Sequence, residues 1–393
     1  MTDSEFDIIH NRRVPGDIKY KPINGCRDVI PMWIADMDFQ SPDAVREILL
    51  QSARRNIWNY TETDDTYDQA IISWYEKRFF WEISPDSILK MPGVMFGISA
   101  SVRALTDPGD AVLICQPVYY PFEKIVVENK RKLVVSELVL NDGIYKICFE
   151  DFEKKITQNK VKMFILCSPH NPVGRVWSKD ELCKIAEICL RHDVWIVSDE
   201  IHSDFVYGEN RHIPIASISG EIAEKCITCT SPTKTFNLAG LQAANIIVSN
   251  SSVRRKVYKA GLATGYSNLN ALAIAATRAA YLTSEKWLDS LLLYLQENIS
   301  LVREFCNRSH GLVKLIEPDG TYLLWMDFKK LGMNSLDLED MLLNKAGVRL
   351  SGGASFGAGG NGFMRMNIAT QKKQLQEALE RMNACFLNTD SRK

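Results

Sequence analysis

The sequence predicts an α/β fold, a large three-layer domain on a mostly parallel sheet with a smaller α+β domain beside it. Three observations carry that expectation. From about residue 90 to residue 280, short apolar runs alternate with amphipathic stretches, the rhythm of parallel strands covered by helices. After Leu282 the pattern changes to strands set apart by turns such as Pro318-Asp-Gly320, which suits an α+β unit. The 393 residues also exceed what one hydrophobic core holds. The expected division is a large domain over 45–285 and a small one over 1–44 plus 286–393.

Each element has its local reason. Ala111 to Cys115 is a buried strand bounded by Pro108-Gly109 and Pro117, and Lys162 to Cys167 another, followed by the turn chemistry of Ser168-Pro-His-Asn-Pro-Val-Gly174. Ser178 and Glu181 form a capping-box pattern, opening a helix whose apolar face is Leu182, Ile185, Ala186, Cys189 and Leu190. Val194 to Val197 runs as a strand into Ser198-Asp-Glu200, and further strands are expected at Ile227 to Thr230 and Asn245 to Val248. In the second part, a long helix covers Trp287 to Cys306, strands fall at Val313 to Ile316, Tyr322 to Trp325 and Phe363 to Ile368, and a polar tail starts at Asn388.

Composition narrows the class of function. Hydrophobic residues are 46% and charged residues 24%, as in an ordinary globular protein. With 47 basic and 48 acidic residues interspersed, there is no electrostatic footprint for nucleic acid or an anionic membrane. Ten cysteines lie scattered without framework spacing, and the N-terminal Met-Thr-Asp-Ser-Glu-Phe-Asp lacks the regions of a signal peptide, so reduced thiols and a cytoplasmic location are expected. Cys226 and Cys229 have CxxC spacing, but no second Cys or His pair accompanies them, and they are read as strand residues; no metal site is expected. No apolar run approaches the ~20 residues that cross a bilayer.

The chemistry centres on Ser231-Pro-Thr-Lys234-Thr-Phe-Asn-Leu-Ala-Gly240, where a lysine follows a strand end. A lysine among small hydroxyl residues, read with Asp199 on another strand end, suggests a Schiff base to a carbonyl cofactor. Pyridoxal phosphate needs both partners: its aldehyde takes a lysine, and its ring nitrogen needs a carboxylate to stay protonated. Ser231 and Thr233 supply hydroxyls for a phosphate, and Gly240 is expected to permit a close turn. A β-lactamase-like S-x-x-K reading lacks its companion Ser-Asp-Asn and Lys-Thr-Gly elements.

Other residues cluster at the same strand ends. His202, expected one helical turn beyond Asp199, can reach the cofactor or that carboxylate. Pro92-Gly93-Val94-Met95 leads into a helix whose backbone N–H groups suit an anion. Tyr119 and Tyr120 follow the strand at 111–115, where an aromatic ring stacks on a flat heterocycle. Asn171 sits between two prolines, and Arg365 can grip a substrate carboxylate. The Gly-rich segment from Gly352 to Gly360 reads as a mobile flank of the site.

Together these blocks resemble the fold type I pyridoxal-phosphate enzymes of the aspartate-aminotransferase superfamily. The matching stretches are Ser168-Pro-His-Asn-Pro-Val-Gly174, Ser198-Asp-Glu-Ile-His202, Ser231-Pro-Thr-Lys-Thr-Phe-Asn237 and Arg365-Met-Asn-Ile368. Met32-Trp-Ile-Ala-Asp-Met-Asp-Phe39 and Gln116-Pro-Val-Tyr-Tyr-Pro-Phe122 look like the branch of cystalysin and the bacterial cystathionine β-lyases. The resemblance implies that Lys234 is the Schiff-base lysine, Asp199 the pyridinium partner and Tyr119 the stacking residue. Asn171 then meets the ring oxygen, and Ser231 with Gly93, Val94 and Met95 the phosphate. Arg365, Ala35 and Tyr120 face the substrate. Tyr60 matches a tyrosine that reaches the neighbouring subunit's phosphate, which implies a homodimer. Gln242 stands where many transaminases carry an arginine, His202 where many carry a tyrosine, and Asn59 where a glycine is expected.

The implied reaction is α,β-elimination on an amino acid bearing sulfur at Cβ, of the cystathionine β-lyase or cysteine desulfhydrase type, releasing thiol, pyruvate and ammonia. Two other readings use the same residues: an aminotransferase, which returns the proton elsewhere, and a cofactor-binding regulatory protein that acts through a partner.

Overall fold

In a computed structural model that describes residues 4–23 and 28–390, eight strands form the central sheet. Their order is Ile88–Met91, Ala244–Ile247, Cys226–Thr230, Trp195–Asp199, Val161–Cys167, Ala111–Gln116, Lys132–Asn141 and Ile144–Ile147. Neighbours from Cys226–Thr230 through Lys132–Asn141 run parallel, and the pairings at either edge are antiparallel. Four of the five parallel strands, at 111–116, 161–167, 195–199 and 226–230, end where the candidate site residues lie.

Alternating side chains explain the three layers. Leu113, Cys115, Phe164, Leu166, Ile196 and Ile247 belong to one apolar cluster, while Val112, Ile114, Met163, Ile165, Val197 and Ile246 belong to the other. Successive strand residues face opposite sides, so strands apolar at every position need helices on both. Cys226 and Cys229 fall in different clusters and thus on opposite faces, which excludes a joint CxxC site.

The helix Val94–Leu105 lies against this sheet through Gly97, where an added Cβ would meet Ile246 Cδ1 at 2.3 Å; at Gly93 the space is open. Of that glycine pair, Gly97 is the one packing requires. The helix Lys179–Arg191 opens on the expected capping box: Glu181 N–H donates to Ser178 Oγ at 3.2 Å, and Ser178 N–H to Glu181 Oε2 at 2.8 Å.

A second, four-stranded antiparallel sheet runs Lys314–Ile316, Leu323–Asp327, Phe363–Asn367, Ser351–Gly352. Ile30–Pro31 pairs in parallel with Val348–Arg349, which ties the N-terminal segment to this part of the chain. The long helix spans Glu285–Arg308, outlasting the expected stretch at both ends.

Three expectations need correcting. His202 lies in a turn, because the chain leaves the strand at Asp199 without entering a helix. Gly240 is exposed with nothing near its Cβ position; the left-handed residues of that loop are Asn237 and Gln242. The segment from Gly352 to Gly360 is pinned: Val118 N–H donates to Phe356 O at 3.0 Å and Ala358 N–H to Gln116 Oε1 at 2.9 Å. The polar tail that starts at Asn388 is helical as far as Asp390, and its last three residues lie outside the described ones, as does Cys26. Among the described residues, no helix is long and apolar enough to cross a membrane.

Candidate active site

The strand ends surround a cavity of ≈ 220 Å³ lined by Ala35, Gly93, Val94, Met95, Tyr119, Cys167, Asn171, Asp199, His202, Thr233 and Lys234, among others. Most of the site residues read from the sequence therefore converge on one space. Arg365 borders it through Asn171, and Ser231, Tyr120 and Tyr60 are not part of the lining.

Lys234 stands on the four-residue helix Pro232–Thr235, directly after a central strand. Ser231 caps that turn, accepting from Thr233 N–H at 3.1 Å and donating its hydroxyl to Ala243 O at 2.6 Å. Its hydroxyl is thus spent on the Ala243 carbonyl and on the Thr233 hydroxyl 2.6 Å away, and Thr233 is the residue that lines the cavity. Lys234 Nζ donates to the carbonyl of Ala35. Burial pulls the Lys234 amine down to about 8; the Arg365 charge pushes the same way, against Asp36 and Asp199.

Asp199 ends its strand 5% exposed, and its carboxylate accepts from Ile201 N–H at 3.2 Å. Burial, aided by the charge of Glu200, pushes its pKa up to about 7, with the Ile201 hydrogen bond and Lys234 opposing. His202 is also buried, and its Nδ1 has no hydrogen-bond partner. Burial and the charges of Lys234 and Arg365 lower it to about 3, so its ring stays neutral.

Arg365 projects from the strand Phe363–Asn367 of the small sheet and is 4% exposed. It donates to Trp33 O at 2.7 Å and Asn171 Oδ1 at 3.1 Å, and its guanidinium lies 4.9 Å from the centroid of the Phe356 ring. Its Nε has no partner, and no carboxylate pairs with it among the described residues. Tyr119 lines the cavity and packs against Tyr120 at 5.5 Å; Tyr120 is 42% exposed and meets Phe356 edge-on. Tyr60 is fully exposed.

Sequence reasoning missed Tyr322, whose hydroxyl donates at 3.1 Å to the same Ala35 carbonyl that Lys234 meets, and Cys167, a cavity wall. Cys167 was legible as the last residue of a strand aligned with Asp199. Tyr322 had no signal, because it reaches the site only through the packing of the small sheet.

A mostly parallel α/β sheet with a lysine and a carboxylate gathered at its strand ends, and an arginine brought beside them by the small sheet, defines a class of cofactor-dependent enzyme. The chain belongs to the class I and II aminotransferase family, whose model matches residues 27–382. Cystathionine β-lyase PatB of Bacillus subtilis is 41% identical over 92% of this chain and 94% of its own. Cystalysin from Treponema denticola, whose crystal structure contains pyridoxal 5'-phosphate, superposes with a TM-score of 0.94 at 36% identity, covering 98% of this chain and 99% of its own. The C–S lyase of Staphylococcus hominis superposes at 0.91 with 31% identity, over 98% of each chain.

Proposed function

We propose that this chain is a pyridoxal-phosphate-dependent carbon–sulfur β-lyase that splits amino acids carrying sulfur at Cβ into thiol, pyruvate and ammonia. The observation that carries it is the convergence of Lys234, Asp199 and Asn171 on one cavity bordered by Arg365, in a chain 41% identical to a cystathionine β-lyase.

The residues fit this cofactor. Asp199 is a buried carboxylate with no hydrogen-bonded or ion-paired cation among the described residues, which suits a protonated ring nitrogen. His202 Nδ1 and Arg365 Nε are buried atoms without partners. Lys234 would hold the aldehyde carbon, Tyr119 the ring face and Asn171 the ring oxygen. Thr233 and the N–H groups opening the helix Val94–Leu105 would hold the phosphate, a favourable place for an anion. When bound, the cofactor supplies an electron sink for a carbanion at the substrate Cα.

The protein's own residues do the rest. Arg365 would bind the substrate carboxylate in bidentate fashion and so orient the substrate Cα. The Lys234 amine, lowered toward working pH, is the base that takes the Cα proton. Asp199 keeps a proton on the ring nitrogen. Tyr119 shapes the cavity wall, with Tyr120 packed against it from outside.

We read the assembly as a homodimer in which Tyr60 completes the neighbouring site. Its support is that Ile57, Trp58 and Tyr60 are exposed and Tyr60 lies away from its own chain's cavity. A cytoplasmic location goes with this reading. Incubation with cystathionine and no keto acid tests the function: pyruvate and thiol are expected. Amination of added 2-oxoglutarate without pyruvate release would make the chain an aminotransferase instead. A Lys234→Ala variant that kept a cellular phenotype would favour the regulatory reading.

A further inference from the structure

The helix that carries Lys234 is four residues long, and its Pro232 and Thr233 carbonyls accept from Phe236 N–H and Leu238 N–H, each at 2.9 Å. So short a turn does not fix a side chain, since it is far below the length at which helices hold themselves. The turn is held from outside at both ends. In front, Ser231 Oγ donates to Ala243 O. Behind, the hydroxyl of Thr235, 1% exposed, donates to Asp204 Oδ2 at 2.7 Å.

Asp204 is itself fixed. Its Oδ1 accepts from Trp74 Nε1 at 3.2 Å and lies 3.3 Å from Arg78 Nε, and its side chain is 2% exposed. It also ends the turn that leaves Asp199, with Phe205 N–H closing back on His202 O at 2.9 Å. The Thr235 hydroxyl therefore ties the segment presenting the amine to the segment presenting the carboxylate.

We infer that Asp204, acting through the Thr235 hydroxyl, is a positioning residue that sets the Lys234 amine against Asp199. It does not line the cavity that holds Lys234 and Asp199. Without the bond, the turn loses its tie to the segment that presents Asp199 and is held by Ser231 in front and by the Asn237 bonds to Met37 and Phe39 behind, so the amine gains freedom relative to that carboxylate. The inference rests on the reading of Lys234 as the base.

Two substitutions at Thr235 test it, because Val keeps the shape and loses the hydroxyl while Ser keeps the hydroxyl. In the full-length holoenzyme, Thr235→Val is expected to lower kcat for carbon–sulfur cleavage about tenfold, the size of one hydrogen bond, with KM nearly unchanged. Thr235→Ser is expected to restore kcat. A second readout needs no turnover: reductive methylation of Lys234 across pH in the cofactor-free full chain, read by peptide mass spectrometry. The wild-type midpoint is expected near 8, and Thr235→Val is expected to move it up toward an ordinary amine. Unchanged kcat and midpoint in Thr235→Val overturn the inference, as does an equal loss in Thr235→Ser. If wild-type protein cleaves no carbon–sulfur bond, the functional reading fails, while the methylation midpoints still decide on the clamp. Should Thr235→Val not fold, Asp204→Asn is measured in the same two ways, and a wild-type midpoint there overturns it.

Discussion

Arg12 and Lys19 close on Asp17, Asp36 and Asp38 with contacts of 2.8 to 2.9 Å, whereas buried Asp199 and Arg365 and half-buried Lys234 have no hydrogen-bonded opposite charge among the described residues. The first group ties the N-terminal segment to the Met32 to Phe39 block: Arg12 also donates to Met37 O, and Gln374 to Asp38 Oδ2. There the chain completes every charge with its own residues. In the cavity it leaves them incomplete, and an incomplete buried charge is costly unless something else completes it. The difference separates charges kept for the fold from charges kept for a ligand. The two groups also touch, since Asp36 pulls on Lys234 from the paired side.

The sharpest way to break this contrast is to remove the amine. Lys234→Ala is expected to lower carbon–sulfur cleavage by at least about 10³-fold, as for loss of a general base, and to abolish the visible band of the cofactor-loaded protein. Its unfolding midpoint should not fall, because the lost cation had no carboxylate partner. A wild-type spectrum in the variant would remove Lys234 from the chemistry.

Asp38→Ala probes the paired side. It leaves Lys19, 1% exposed at its side chain, and Arg12 facing each other without Asp38, and about 3 to 5 kcal/mol of unfolding free energy should be lost in denaturant titration. The cofactor spectrum of whatever remains folded should be unchanged. A loss below about 1 kcal/mol would mean the cluster is solvated in the manner of a surface pair.

Arg365→Ala should show the opposite split. Substrate binding is expected to weaken by about 2 to 5 kcal/mol, measured as a rise in KM with cofactor retained, while thermal unfolding of the cofactor-free protein stays level. A drop in stability like that of Asp38→Ala would place Arg365 among the fold's own charges.

The sequence carried the unpaired group better than the paired one. Lys234, Asp199 and Asn171 sit at strand ends flanked by turn residues, so period and punctuation located them, and an α/β sheet gathers its strand ends. The Arg12 cluster joins residues on loops with no periodicity, and nothing in the spacing of Arg12, Lys19 and Asp38 marks them as neighbours. Tyr322 and the clamp between Asp204 and Thr235 were hidden for the same reason, since each depends on how separate segments pack. Gly97 was visible as a glycine, but its need for a missing Cβ shows only once Ile246 lies across it.

The smallest expected effect is on pH dependence, where the two groups should slope in opposite directions. Burial pushes Asp36 up, but the Arg12 hydrogen bond and the charges of Lys19 and Arg12 outweigh it and hold its carboxyl below the usual 3.8. Its contribution is present above that value and lost as pH falls. Asp199 does the reverse. Its folded pKa of about 7 exceeds 3.8, so the unfolded state gives up the proton first, and its contribution declines as pH rises from about 4 to about 7. Lys234, lowered from 10.5 to about 8, weighs against the fold below about 8 and is relieved as pH rises toward 10.5. In cofactor-free protein the cavity is therefore least favourable to folding between about pH 7 and 8, where both groups are charged. Asp199→Asn should flatten the decline between pH 4 and 7 in urea titrations, and cofactor should flatten it in wild type by completing the carboxylate. If the decline survives Asp199→Asn, the carboxylate is already paired in the folded protein, and the contrast with Asp36 disappears.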